Sequence, residues 1–308
     1  MNLRPYVAIA RPDHWFKNIF VLPGILIAFW LHPEEASWSL LPILALALAG
    51  VCLVASSNYA LNEVLDAERD RLHPVKKARP LAARQISSRA GIIEWLLLGA
   101  AGLAVGWLVN RPFFLTLCTL WVMGIAYNVP PVRTKELPYL DVLSEAVNNP
   151  LRMLLGWYAT GVTSFPPSSL LLAYWMVGSY LMMAKRLAEF RSIGDQQSAA
   201  AYRSSFRVYN EPRMLALLVC YASGFMFFVA VVLVKFHPEF ILACPLLMVY
   251  LAYYTQLTLR PDSIVQTPEN LFQDRNLLYL TLLVSFVLVV LAFVDIPWIG
   301  RFLEIDTA

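Results

Sequence analysis

NYALNEVLDAERDRLHPVKKARP, residues 58–80, joins an apolar run long enough to cross a bilayer to a dense set of charges. It holds Asn62, Glu63, Asp66 and Asp70, then His73, Lys76, Lys77 and Arg79. On an α-helix, positions 62, 66 and 70 recur every four residues, and Glu63 lies three before Asp66 and seven before Asp70. These oxygens are expected to share one face. Crowded like charges repel and raise the pKa of some members unless a cation or a proton neutralises them. Mg²⁺ answers that need, because it prefers oxygen ligands and keeps waters and substrate phosphates as its remaining ligands. The basic run that follows offers direct partners for phosphate oxygens. A metal-bridged diphosphate site, with Asn62, Glu63, Asp66 and Asp70 as ligands, is the first expectation. The plainer alternative, Asp66 and Asp70 as solvated loop residues, leaves the regular spacing unexplained.

The composition is that of a membrane protein. Of 308 residues, 59% are hydrophobic and 15% charged, against about 25% charged in a soluble domain, and mean hydropathy is +0.59. Apolar runs of about 20 residues fall roughly at 18–34, 38–60, 91–109, 112–129, 139–161, 168–187, 213–235, 238–257 and 277–299. They predict an all-α polytopic bundle of nine transmembrane helices. Residues 1–17, with Arg4, Arg11 and Lys17, read as an amphipathic segment lying at the interface. No small-residue cleavage site follows the first apolar core, so the first helix is expected to be retained. The whole chain, 1–308, is expected to form one transmembrane domain with no soluble domain appended.

Charge sets the orientation. Of the 24 Lys and Arg, all but Arg111, Arg152, Lys235 and Arg301 precede the first span, close the sixth, or follow the second, fourth, sixth or eighth. By the positive-inside rule that side is cytoplasmic, with active loops at 61–90 and 185–213, the amino terminus inside and the carboxyl terminus outside. Cys52, Cys118, Cys220 and Cys244 stand singly in apolar segments, which excludes a CxxC metal pattern and a disulfide framework.

Three more constellations carry ionisable groups. At the end of the sixth span, YLMMAKRLAEFR places Lys185, Arg186 and Glu189 directly after an apolar run. Such groups cost about 2.5–3.5 kcal/mol each at a helix centre. They read either as a phosphate-binding pair with Glu189 positioning Lys185, or as side chains snorkelling to the interface. In the fifth span, Asp141, Glu145, Asn149 and Arg152 form a polar stripe, which either lines a cavity or holds the bundle together through Glu145 and Arg152. Near the start, RPDHWFKN offers Lys17 as a substrate contact or as a topology charge. GxSxG, HExxH, Walker A and GxGxxG patterns are absent, which removes support for nucleophilic hydrolysis, zinc proteolysis and P-loop hydrolysis. The basic surface is juxtamembrane and lacks a nucleic-acid-binding module, so no nucleic-acid partner is expected.

Asn62-Glu63-x-x-Asp66-x-x-x-Asp70, at the cytoplasmic end of the second predicted helix, resembles the first aspartate-rich motif of the UbiA-type intramembrane prenyltransferases. The resemblance spans nearly the whole chain. It implies an all-α bundle around a central cavity, in which Mg²⁺ grips a diphosphate and a side opening admits polyprenyl chains. Within that superfamily, RPDHWFKN, DRLHPVKKARP and AKRLAEFR are most similar to the phosphoribosyltransferases that act on decaprenyl phosphate. Where prenyl-diphosphate enzymes usually show a second aspartate-rich motif, this chain has Lys185, Arg186 and Glu189. A phosphoribosyl donor carries a further 5-phosphate and the acceptor a monophosphate, and cations suit both. Two departures stand out: Glu63 where Asp is usual, and the polar Asn148-Asn149-Pro150 in the fifth span.

The resemblance therefore implies a Mg²⁺-dependent transferase of the bacterial inner membrane that passes 5-phosphoribose from phosphoribosyl diphosphate to a polyprenyl phosphate lipid, for cell-envelope glycan synthesis. Asp66 and Asp70, with Asn62 and Glu63, are expected to hold the metal. Lys76, Lys77 and Arg79 are expected to serve the leaving group or the 5-phosphate. Lys185 and Arg186, with Lys17 and Arg152, are expected to position the acceptor phosphate. Two alternatives stay open: a UbiA-type prenyltransferase using a prenyl diphosphate with an aromatic or other acceptor, and a non-catalytic lipid-phosphate transporter.

Overall fold

The computed structural model describes residues 3–71 and 76–302, the side chains of Pro268, Glu269 and Phe302 excepted; His73 lies outside the described residues. Every regular element among them is helical. In chain order they are α1 (Arg4–Ala10), a 3-10 segment (Pro12–Val21), α2 (Leu22–Leu31), α3 (Leu41–Arg71), α4 (Ser88–Val109), α5 (Arg111–Asn128), α6 (Leu140–Ala146) and α7 (Asn148–Ala159). Then come α8 (Ser168–Ile193), α9 (Gln196–Tyr202), α10 (Glu211–Phe236), α11 (Cys244–Leu259), α12 (Arg275–Leu291) and α13 (Pro297–Phe302). Among the described residues, five segments are long and apolar enough to cross a membrane: Arg4–Leu31, Trp38–Asp70, Ser88–Val109, Glu211–Phe236 and Pro238–Leu259. The chain forms two compact units, one of Met1–Lys135 with Val147–Pro166, the other of Glu136–Ala146 with Pro167–Ala308.

In the first unit α3 is the long element, and it continues past its predicted end at residue 60 to Arg71. At 1.5 Å per residue it measures roughly 46 Å, more than the ~30 Å hydrocarbon core. Its charged last turns are thus length beyond what a crossing needs. α4 packs against α3 through Gly91, Gly99 and Gly102, which face Val64, Ser57 and Val54 of α3, while Gly106 faces Leu117 and Phe113 of α5, and such small residues let helix backbones approach. α2 and α7 cross more tightly still. A Cβ at Gly24 would strike the Met153 carbonyl, and one at Gly156 the Val21 carbonyl.

The fifth predicted span is two helices, a correction with a local cause. Pro150 has no N–H to give the Ala146 carbonyl and its ring crowds that carbonyl, so α6 stops at Ala146 and α7 restarts at Asn148. The expected polar stripe is divided: Asp141 and Glu145 lie on α6 in the second unit, Asn149 and Arg152 on α7 in the first. The second unit has its own core, in which Tyr180, Met183, Leu187, Phe206, Tyr209 and Met214 are buried. Tyr180 donates to the Leu251 carbonyl at 2.6 Å, tying α8 to α11.

Gly24→Leu or Gly156→Leu forces α2 and α7 apart, and overpacking of this kind costs about 1–3 kcal/mol. Thermal unfolding in detergent is expected to show a lowered midpoint for each. An unchanged midpoint in both would contradict the crossing.

Candidate active site

The end of α3 carries the expected oxygens, and each is engaged. Lys135 Nζ donates to Asp66 Oδ1 and Oδ2, both at 2.7 Å, and Arg133 Nη2 donates to Oδ1 at 2.9 Å. Asn128, at the end of α5, accepts from Lys135 (3.0 Å) and from Asn62 Nδ2 (2.6 Å), so Asn62 and Asp66 do share one face. Lys135 is only 8% exposed, a rare state for a lysine without an anionic partner. One turn further on, Asp70 accepts from Arg79 Nη1 at 2.6 Å. Glu63 does not join them: buried, it accepts from the Leu81 amide at 3.1 Å and so fixes the loop that carries Arg79. Arg71 secures the same loop through the Ala82 carbonyl at 3.2 Å. Lys76 and Lys77 lie in a one-turn 3-10 helix, half-buried and exposed respectively.

The amino-terminal motif docks on the middle of α3. Trp15 Nε1 donates to Ser56 Oγ at 2.9 Å, and the Arg11 guanidinium sits over the Tyr59 ring. Lys17 meets His14 Nδ1 at 3.0 Å. Arg152 Nε donates to Asn18 Oδ1 at 3.1 Å and Nη1 to the Asn148 carbonyl, so its role in this unit is to brace α7 against the motif.

In the second unit Arg186, 4% exposed, donates to Glu189 at 3.0 Å and lies 3.5 Å from Asp141 Oδ2. Glu189 is thus bonded to Arg186, and the Lys185 charge expected beside it acts on it as well. Arg203 approaches the same Glu189 oxygen at 3.9 Å. Burial opposes ionisation of Glu189, but the charges of Arg186, Arg203 and Lys185 outweigh it and hold the carboxyl below its usual range. Asp141, fully buried, accepts from Tyr209 Oη (2.8 Å) and Ser205 Oγ (3.0 Å). Burial, then the Asp141 charge, push the Tyr209 phenol far up.

Sequence reasoning missed Asn128, Arg133 and Lys135, and in the second unit Arg203, Ser205 and Tyr209. Arg133 and Lys135 were visible only as topology charges, because a partner 67 and 69 residues away leaves no periodic mark.

Among the described residues, no group of three or more His, Cys, Asp and Glu converges as a metal cluster. The α3 residues nevertheless fit Mg²⁺ by chemistry. The set is of hard oxygens at one-turn spacing, and Asp66 already draws two cations and Asp70 one, which shows the demand for positive charge there.

Residues 20–273 match the UbiA prenyltransferase family, and the chain belongs to it. It is a multi-pass membrane transferase. Relatives include the decaprenyl-phosphate phosphoribosyltransferase of Mycobacterium tuberculosis, 29% identical over 70% of this chain and 72% of that one. The nodulation protein NoeC of Azorhizobium caulinodans is 29% identical over 71% of this chain and 68% of its own length. A UbiA homolog from Archaeoglobus fulgidus, solved bound to GPP and Mg²⁺, superposes with a TM-score of 0.69 over 91% of this chain and 99% of that chain, at 22% identity.

The Asp66–Lys135 pair is testable alone. In a double-mutant cycle of Asp66→Ala and Lys135→Met, thermal unfolding should give a coupling of about 0.5–3 kcal/mol. Additive effects would contradict the pairing.

Proposed function

We propose that this chain transfers 5-phosphoribose from phosphoribosyl diphosphate to a polyprenyl phosphate, with Mg²⁺, at the cytoplasmic face of a bacterial inner membrane. The observation that carries the reading is the chemistry at the end of α8. Lys185, Arg186 and Arg203 gather there around one carboxylate, Glu189. A donor gripped by two acidic motifs needs carboxylates at that place; phosphate groups need cations. The name carried by the Mycobacterium tuberculosis relative supports the same reaction. The positive-inside distribution supports nine crossings, with the amino terminus and the loops at 61–90 and 185–213 inside.

Asp66 and Asp70, with Asn62, would hold Mg²⁺, which would supply positive charge to the diphosphate leaving group as the ribose C1–O bond breaks. Glu63, committed to the Leu81 amide, supports this set by fixing the loop that carries Arg79. Arg133, Lys135 and Arg79, the present partners of the two aspartates, turn to the donor's phosphate oxygens, assisted by Lys76 and Lys77. Lys185 contacts the acceptor phosphate. No general base is required, because the acceptor phosphate is anionic and already nucleophilic. A second reading, a prenyl diphosphate donor, is favoured by the GPP and Mg²⁺ bound to the Archaeoglobus fulgidus homolog.

Purified protein and Mg²⁺ should move label into lipid from labelled phosphoribosyl diphosphate when polyprenyl phosphate is present, and not from labelled prenyl diphosphate with 4-hydroxybenzoate. The reverse result would establish the second reading, and movement of lipid phosphate without label transfer a transporter. Asp66→Asn keeps an acceptor for Lys135 and should fold, yet lose about 10²-fold or more of turnover, the scale of removing a charge-stabilising group. Normal turnover in that variant would sink the assignment.

A further inference from the structure

Asp141 is a carboxylate with no exposed surface, set among Val142, Phe206 and Tyr209. A buried charge is costly unless it is paired and hydrogen-bonded, and both of its oxygens are used. Oδ1 accepts from Tyr209, whose Oη itself accepts from the Tyr139 amide at 2.6 Å; Oδ2 accepts from Ser205 and faces Arg186 Nε. The guanidinium of Arg186 is thereby hydrogen-bonded to Glu189 and ion-paired with Asp141, and Glu189 draws Arg203. At 4% exposure Arg186 is set back from any ligand, whereas its neighbour Lys185 is only half-buried. Lys185, Arg186 and Arg203 all bring positive charge to Glu189 at the end of α8. An apolar replacement for a buried ion pair is often as stable, so stability alone does not account for the arrangement. A fixed cationic surface does, because a charge already oriented loses little freedom when an anion arrives.

We propose that Asp141 is a positioning residue, which locks Arg186 and the turn carrying Ser205 and Tyr209 so that Lys185 is presented to a phosphate monoester. The proposal rests on the reading of the α8 end as the acceptor-phosphate site, and it moves Arg186 from ligand to support. The full chain in detergent is titrated by calorimetry with farnesyl phosphate, and separately with phosphoribosyl diphosphate plus Mg²⁺.

Asp141→Asn keeps the shape and removes the charge. It should weaken farnesyl phosphate binding about tenfold, the scale of a hydrogen bond to a charged group, while the phosphoribosyl diphosphate Kd moves less than about twofold. If Asp141→Asn does not fold, the double variant Ser205→Ala/Tyr209→Phe carries the same comparison. It strips both hydroxyls from the carboxylate and should weaken farnesyl phosphate about three- to tenfold. Unchanged farnesyl phosphate binding, or equal weakening of both ligands, would overturn the positioning role. Absence of phosphoribosyl transfer by the unaltered chain, with the selective loss in Asp141→Asn intact, would overturn the reaction and leave the role of Asp141 standing.

Discussion

The carboxylate of Asp66 receives Lys135 on both oxygens and Arg133 on one, and much of the first unit serves to hold those three side chains together. Lys135 can be buried because Asp66 and Asn128 surround its ammonium; Asn128 is oriented by Asn62 and by the Gly124 carbonyl. α3 has to be long to deliver Asp66 and Asp70 past its apolar body, and the small residues of α4 let a neighbour pack closely along it. The acids and bases neutralise each other. A Mg²⁺–diphosphate complex, as proposed above, would offer each set a replacement of the same sign: metal for the carboxylates, phosphate oxygens for the cations.

The second unit solves a related problem without surplus acid. Arg186, Arg203 and Lys185 gather around Glu189, and the network runs from Asp141 on α6 through the turn before α10 to the end of α8. That polarity is opposite to what binding a metal requires and suits a phosphate.

Much of this was legible along the chain. The four-residue spacing of Asn62, Asp66 and Asp70 predicted a shared face, and apolar length predicted helices. Pairings across long separations were not legible. Lys135 and Arg133 looked like topology charges, and helical spacing did not say that Glu63, at the stripe's edge, would meet the Leu81 amide. Pro150 was visible but read as tolerated inside one helix. Its effect on the Ala146 carbonyl splits that helix and assigns Asp141 and Arg152 to different units.

The central claim is that the acids of α3 exchange their protein cations for metal only when phosphate oxygens take those cations over. Mg²⁺ titrations of the purified chain with and without pyrophosphate test it most directly, because coupled binding must appear as a change in Mg²⁺ affinity and is reciprocal. The account predicts weak Mg²⁺ binding alone and about tenfold or more tighter binding with pyrophosphate, after allowance for Mg²⁺–pyrophosphate association in solution, with the gain lost in Lys135→Met. Equal Mg²⁺ affinity in both titrations would contradict it.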